Sequence, residues 1–174
     1  MTNKISMKSF VTVAIATVMA AAAMSGLMPA TAQKVGPSGN PLPRFVSLSA
    51  SKAFMRTGPG RQYPVDWVYE RQNLPLEIID EYGAWRQVRD HEGTTGWMLV
   101  SLLFGPRTVM IRGKTRELYA NPALNAEPVV IAEAGVIGLV EGCEGLWCEI
   151  EIAGESGWIE RRHLWGVYPG ETLD

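Results

Sequence analysis

The side chains best suited to covalent or metal chemistry are two cysteines, Cys143 and Cys148, and two histidines, His91 and His163. A catalytic cysteine needs a histidine within hydrogen-bond reach, and neither cysteine stands in a recognised nucleophile motif. Neither histidine has a neighbour at a spacing typical of metal ligands. We therefore predict exposed loop histidines and no metal site.

Four carboxylates could supply general acid–base catalysis: Asp80, Glu81, Asp90 and Glu92. A hydrolase needs two such groups facing a cleft. These four fall at strand ends and turns of a small unit with little room for a deep pocket, so we predict solvated turn charges. The sequence also lacks a phosphate-binding loop, a dinucleotide fingerprint and a zinc-protease motif. We expect no enzymatic activity and no cofactor.

Composition narrows the classes of protein further. The chain of 174 residues is 47% hydrophobic and 20% charged, and these values exclude wholesale disorder. Lysine and arginine number 16 against 18 acidic residues, which gives a formal net charge of -2. This balance excludes a nucleic-acid binder driven by bulk positive charge.

The amino terminus has the order of residues typical of a secretory signal. Lys4 and Lys8 precede an uncharged stretch that runs to Gln33, and a small-residue cleavage site follows at Ala30-Thr31-Ala32. We predict cleavage after Ala32, a periplasmic or secreted protein, and no stable membrane span after cleavage. The alternative is an uncleaved anchor, since the uncharged stretch is long enough to cross a bilayer.

Export bears on the two cysteines, because disulfides persist outside the cytoplasm. Cys143 and Cys148 flank the four residues Glu144-Gly145-Leu146-Trp147 in or beside a turn. This spacing favours a disulfide across the turn. The alternative is a pair of buried free thiols, since strand alternation puts Cys148 on an aliphatic face.

An internal repeat dominates the rest of the sequence. Gly83-Ala84-Trp85 recurs as Gly145-Leu146-Trp147, and Gly96-Trp97 recurs as Gly157-Trp158, at offsets of 62 and 61 residues. The runs between the glycine-containing turns are short and have no helical period, which predicts strands. We therefore predict an all-β protein with two tandem copies of one unit.

Turn lengths predict which residues face each other in each copy. A two-residue turn at Ala153-Gly154 puts Cys148 opposite Ile159. The corresponding loop of the first copy, His91-Glu92-Gly93, has one more residue and puts Gln87 opposite Trp97. In both copies the tryptophans then lie on the face opposite the aliphatic side chains.

The order of these motifs resembles a bacterial SH3-like (SH3b) domain. In the first copy the resemblance rests on Met55-Arg56-Thr57-Gly58-Pro59-Gly60, Tyr63-Pro64-Val65-Asp66-Trp67, Trp85, Val88, Gly96-Trp97 and Leu103. The second copy is similar through Gly145, Trp147-Cys148, Gly157-Trp158-Ile159 and Leu164, although Asn121-Pro122 replaces Gly58-Pro59. The pair is similar to the exported tandem SH3-like proteins of Gram-negative bacteria. The resemblance implies two small β-barrels that bind or position a partner without chemistry of their own.

Aromatic residues of the first copy are the best candidates for binding. Trp85 and Trp97 lie on the outer face, where aromatics with polar neighbours can hold a peptide or glycan. The alternative is that the loop 51–63 covers them as a second small core. The candidate ligand-binding residues are Arg56, Tyr63, Asp66, Trp67, Trp85 and Trp97.

These patterns assign every part of the chain. The predicted segments are a signal peptide (1–32), a linker (33–44), SH3-like domain 1 (45–105), SH3-like domain 2 (106–168) and a C-terminal tail (169–174). The resemblance implies an exported, non-enzymatic binding module that recognises peptidoglycan peptides of the cell wall or an envelope protein. The alternative is a periplasmic protein–protein scaffold with no small ligand. We expect a monomer that binds no nucleic acid.

Overall fold

A computed structural model describes residues 34–173, which belong to one compact unit. The predicted signal peptide, residues 1–32, lies outside the described residues. Helical structure within the described range is limited to two 3₁₀ turns, Val100–Leu102 and Arg161–His163. No helix in that range has the length and hydropathy needed to cross a membrane. The all-β class predicted from the sequence is confirmed.

The strands in chain order are β1 (Lys34–Val35), β2 (Pro41–Leu42), β3 (Arg44–Ser47), β4 (Ala53–Arg56), β5 (Val65–Tyr69), β6 (Pro75–Tyr82), β7 (Trp85–Arg89), β8 (Thr95–Leu99), β9 (Thr108–Ile111), β10 (Arg116–Tyr119), β11 (Pro128–Ala132), β12 (Ile137–Glu144), β13 (Trp147–Ile152), β14 (Glu155–Glu160) and β15 (Leu164–Trp165). One antiparallel sheet has the order β3-β6-β7-β8-β4-β5, and a second has the order β11-β10-β14-β13-β12-β9-β15. We call residues 45–105 copy 1 and residues 106–168 copy 2.

The predicted registers of the long hairpins are confirmed. Cys148 lies opposite Ile159, and Gln87 lies opposite Trp97. Gly93 has a φ of 92°, the left-handed backbone that the three-residue loop needs and that glycine adopts without strain. The inner faces of these hairpins bury aliphatic side chains such as Val88 and Ile150.

The interface between the two copies contains aromatic rings and several hydrogen bonds between residues distant in sequence. Trp165 donates its indole N–H to the carbonyl of Pro75 at 3.0 Å, and its ring meets Phe45 edge-on with centroids 5.0 Å apart. The Tyr168 hydroxyl donates to the Glu77 carboxylate at 2.8 Å. Burial and this hydrogen bond raise the pKa of Tyr168, so the phenol remains a donor. The two copies therefore pack directly against each other.

Glu81 is a buried carboxylate, which corrects the prediction that it is a solvated turn charge. Its side chain is 1% exposed and forms ion pairs with Arg44 at 2.7 Å and Arg86 at 3.2 Å. Ser38 also donates to it, from both its backbone N–H and its hydroxyl, each at 2.8 Å. Two cations and two further donors therefore compensate the buried charge, as burial of a carboxylate requires.

Asp90 is also buried, so the prediction of a solvated turn charge is wrong there as well. It accepts the Tyr69 hydroxyl at 2.7 Å and the backbone N–H groups of Glu92 and Thr94 at 3.0 and 2.8 Å. These bonds hold the loop that joins β7 to β8. Glu92 itself is exposed.

The segment predicted as a linker, residues 33–44, is structured from Lys34 onward. β1 and β2 pair as a small hairpin, and Ser38 in its loop contacts Glu81. A Cβ on Gly36 would come within 2.7 Å of the Glu81 carboxylate, so the hairpin loop lies close against that side chain. The hairpin thus covers the end of the β6–β7 pair.

Cys143 and Cys148 form the predicted disulfide. They are directly opposite each other in the β12–β13 pair. The backbone groups of Cys143 bond to Leu173 on the other side, so the cysteines form a non-hydrogen-bonded pair, the type in which side chains approach most closely. The same register position in copy 1 holds the Glu81–Arg86 ion pair.

Removing the disulfide should destabilise copy 2 without unfolding the protein. In the chain-entropy model, a crosslink between residues five apart contributes about 2 kcal/mol. We expect Cys143→Ser/Cys148→Ser to lower the free energy of unfolding by that amount, measured by urea denaturation. Mass spectrometry of the unreduced parent protein provides the control, because a disulfide lowers the mass by two hydrogens. Equal stability with and without a proven bond would contradict this expectation.

Candidate functional site

A shallow groove of about 240 Å³ lies on the outer face of copy 1. Apolar and basic side chains line it, and no acidic residue does. The lining consists of Lys52, Ala53, Phe54, Arg56, Arg61, Trp85, Leu99 and Leu102. We call this surface the copy 1 groove.

Strand alternation explains which side chains reach the copy 1 groove. In β4, Ala53 and Met55 are buried, so Phe54 and Arg56 point to the outer face. In β7 and β8, Trp85 and Leu99 are directly opposite each other and share that face. Three neighbouring strands thus place an aromatic and aliphatic floor beside a guanidinium.

The structure brings together only part of the predicted set. Arg56 and Trp85 line the copy 1 groove. Trp97 is half-buried directly opposite Arg56, and therefore lies on the same face. Trp67 pairs with Met55, which puts it on the other face of the sheet, where it is 50% exposed.

Tyr63 and Asp66 are exposed and do not line the copy 1 groove. Tyr63 acts within the loop that follows β4. Its ring lies over Gly58, where a Cβ would come within 2.5 Å of the ring. Its carbonyl accepts the Arg56 guanidinium at 2.7 Å. Arg56 thereby holds this loop beside the groove.

Electrostatics make the copy 1 groove attractive to anions. Lys52 is paired with Glu70 at 2.7 Å, but both side chains are largely exposed, so solvent screens the pair. Arg56 and Arg61 form no salt bridge within residues 34–173. Two arginines beside an apolar floor suit a ligand that carries a carboxylate.

Copy 2 has a groove at the equivalent place. Tyr119 lies opposite Trp158 just as Arg56 lies opposite Trp97, and this match fixes the correspondence. At the positions of Phe54 and Leu99, copy 2 has Glu117 and Glu160. Its groove has a volume of about 370 Å³ and mixes acids with bases. We call it the copy 2 groove.

The histidines do not form a reactive centre. His91 is exposed in the β7–β8 loop, as predicted. His163 is half-buried in the copy 2 groove, which corrects the prediction that it is exposed. Burial, and then the charges of Arg116 and Arg162, lower the pKa of His163 and outweigh the opposing effect of Glu160. Residues 34–173 contain no cluster of three or more His, Cys, Asp or Glu side chains able to hold a metal ion.

Sequence reasoning missed Phe54, Arg61, Leu99 and Leu102. Phe54 carried a usable signal, because it alternates with two residues that the β pattern assigns to the core. No sequence pattern points to Arg61 or Leu102, because a loop and a 3₁₀ turn, rather than strand alternation, bring them to the groove.

Comparison with known proteins agrees with this architecture. The sequence matches the family described as Bacterial SH3 domain over residues 49–105 and again over 113–166. No curated protein matches the chain.

Similar solved structures include an NlpC/P60 family protein from Bacillus cereus ATCC 10987, with 13% identity and a TM-score of 0.33, covering 70% of this chain and 55% of that one. NlpC2 from Trichomonas vaginalis has 14% identity and a TM-score of 0.32, covering 71% of this chain and 48% of that one. The chain thus spans about half the length of these structures. On the two family matches, the chain belongs to the bacterial SH3 domain family and carries two tandem SH3 domains.

Proposed function

We propose that the protein is an exported, non-catalytic module whose copy 1 groove binds peptides of the bacterial cell wall. Bacterial SH3 domains are commonly cell-wall binding modules, and this chain has two of them. The disulfide between Cys143 and Cys148 is compatible with an oxidising compartment outside the cytoplasm. Peptidoglycan peptides carry free carboxylates and short apolar side chains, which the copy 1 groove suits in charge and shape.

The contrast between the two grooves carries this proposal. Copy 1 presents Trp85, Phe54 and Leu99 beside Arg56 and Arg61, with no acid in the lining. In the copy 2 groove, Glu117 and Glu160 stand where copy 1 has apolar residues. The acids of copy 2 offset part of the positive charge of its groove and replace apolar contact surface, whereas the lining of the copy 1 groove carries positive charge alone. We therefore assign peptide binding to copy 1.

Co-sedimentation with insoluble peptidoglycan tests the proposal. Trp85→Ala should weaken binding about tenfold or more, because a half-buried aromatic in a binding groove is a typical hot spot. Trp147→Ala, the equivalent change in copy 2, is the matched control and should leave binding unchanged. Circular dichroism verifies that both variants are folded. Equal retention by both variants, or no sedimentation of the parent protein at low salt, would refute the assignment.

A protein scaffold is the second candidate, and the edge strand β11 favours it. β11 ends its sheet, and Val129 and Ile131 on it are 48% and 71% exposed. An exposed apolar edge strand can accept a strand from another protein. Under this function, cross-linking to an envelope protein is lost in Ile131→Lys and kept in Trp85→Ala. The opposite pattern excludes it.

A further inference from the structure

Copy 2 contains a second pocket, of about 460 Å³, beside the copy 2 groove. We call it the arginine pocket, because three arginines stand around an apolar surface. Its lining includes Arg112, Leu146, Glu160, Arg161, Arg162 and Val167. Nothing in the proposed function of copy 1 uses this pocket.

Arg161 is the unusual member, because its charge is buried without a counter-ion. The residue is 7% exposed. Its Nη1 donates to the carbonyls of Tyr168, at 2.7 Å, and Glu171. Its Nε and Nη2 are buried and have no hydrogen-bond acceptor, and no carboxylate within residues 34–173 forms a salt bridge with it. A buried guanidinium normally has an anionic partner.

The fold of the repeat does not require this charge. Arg161 donates its backbone N–H to the Leu146 carbonyl, and Val100 donates in the same way to Ala84 in copy 1. Val100 therefore occupies the position of Arg161. Ser49 occupies the position of Arg112 by the same criterion. The backbone N–H of Ser49 donates to the Leu102 carbonyl in the 3₁₀ turn of copy 1, and the backbone N–H of Arg112 donates to the His163 carbonyl in the 3₁₀ turn of copy 2. Copy 1 folds with neutral residues at both places, so the arginines of copy 2 point to a ligand.

Neighbouring side chains indicate the chemistry of that ligand. Arg112 is exposed, and its guanidinium lies 6.0 Å from the centre of the Trp165 ring without a salt bridge in the described range. Leu146, which is 76% exposed, offers an uncovered apolar surface. Glu160 contacts Arg162 and His163 through Oε2, which leaves its Oε1 without a salt-bridge partner among residues 34–173. That oxygen can accept a peptide N–H.

We infer that the arginine pocket binds the carboxyl terminus of a short apolar peptide. The carboxylate pairs with the exposed Arg112 and balances the buried charge of Arg161, which lines the same pocket, and the terminal side chain packs on Leu146 and Val167. The Glu160 carboxylate accepts an N–H from the peptide backbone, a contact that a fatty acid cannot make. This site is separate from the copy 1 groove, so a test of one site does not decide the other.

Nuclear magnetic resonance titration tests this inference on the purified protein. The probe is acetyl-Ala-Ala-Leu with a free carboxylate, compared with its C-terminal amide and with decanoate. We expect the acid to shift the backbone amides of Leu146 and Val167, and the amide to bind at least about tenfold more weakly because it lacks the charge. Equal binding of acid and amide, tighter binding of decanoate, or shifts confined to copy 1 would overturn the inference.

Two variants that restore the copy 1 residue locate the interaction. Arg161→Val and Arg112→Ser should each weaken binding of the acid several-fold. Arg71→Ser removes an exposed arginine of copy 1 and is the matched charge control, which should bind normally. If Arg161→Val does not fold, Arg112→Ser decides alone, because that residue is exposed. Unchanged affinity in a folded Arg112→Ser variant overturns the inference, and unchanged affinity in Trp85→Ala supports it.

Discussion

Replacing Glu81 with alanine should lower the free energy of unfolding by about 3–5 kcal/mol, the usual cost of removing one partner from a buried ion pair. The Glu81 side chain is 1% exposed, and its loss leaves Arg86 buried beside Arg44 without an anion. It also releases Ser38 and with it the β1–β2 hairpin. Urea denaturation measures the change. A loss below about 1 kcal/mol, typical of exposed pairs, would contradict this account.

The disulfide of copy 2 provides a rescue for the same site. Glu81 and Arg86 are opposite each other in β6 and β7 just as Cys143 and Cys148 are in β12 and β13. The double variant Glu81→Cys/Arg86→Cys should therefore form a disulfide on oxidation. Its free energy of unfolding should then be about 2 kcal/mol higher than that of its reduced form. Failure of these cysteines to pair would show that the two hairpins are not equivalent.

Glu81 also gives the protein a specific pH dependence. Burial by itself raises the pKa of Glu81, but hydrogen bonds from Ser38 and Arg44 and the charge of Arg86 outweigh it and lower the pKa from 4.5 to about 2. The folded state therefore holds the proton less tightly than the unfolded state. The resulting stability is complete above pH 4.5 and is lost as the pH falls from 4.5 towards 2. Glu81→Gln should remove this part of the acid sensitivity.

Trp165→Ala should lower the free energy of unfolding by about 3 kcal/mol or more, and the two copies should then unfold separately. The indole joins copy 2 to copy 1 through its bond to Pro75 and its packing on Phe45. Differential scanning calorimetry should show one transition in the parent protein and two overlapping transitions in the variant.

Two further variants separate the contributions of the Trp165 side chain. Trp165→Phe keeps a ring against Phe45 and loses only the hydrogen bond, so it should lower the free energy of unfolding by about 1 kcal/mol. Trp67→Ala removes a half-exposed indole elsewhere in copy 1 and should have a smaller effect than Trp165→Ala. A single, unshifted transition in Trp165→Ala would show that the copies are held together by other contacts.

Local rules predicted the hairpins well, because turn length and alternation determine register. The two-residue turn at Ala153-Gly154 and the extra residue in the His91 loop were enough to place Cys148 and Gln87 opposite their partners. The environment of Glu81 could not be read in this way. Its partners Ser38 and Arg44 lie more than thirty residues away in sequence, and only the folded chain brings them together.

The candidate site was only partly predictable for the same reason. Arg56 and Trp85 reach one groove because adjacent strands present them on one face. The motif alone grouped Trp67 with Arg56 and Trp85. Trp67 pairs with Met55, however, and therefore lies on the opposite face of the sheet from the groove. Pairing between β4 and β5 decides this, and the bulge between Met55 and Arg56 is not visible in the sequence pattern.

Chemical-shift mapping with a soluble cell-wall stem peptide tests the central claim most directly. The ligand is titrated into the ¹⁵N-labelled protein, and the indole N–H signals of Trp85 and Trp147 report on the two copies separately. The account predicts saturable shifts at Trp85, Phe54 and Arg56, weakened by salt because Arg56 and Arg61 supply the attraction. Saturable shifts at Trp147 with none at Trp85, or no shifts at millimolar peptide, would contradict the assignment of cell-wall peptide binding to the copy 1 groove.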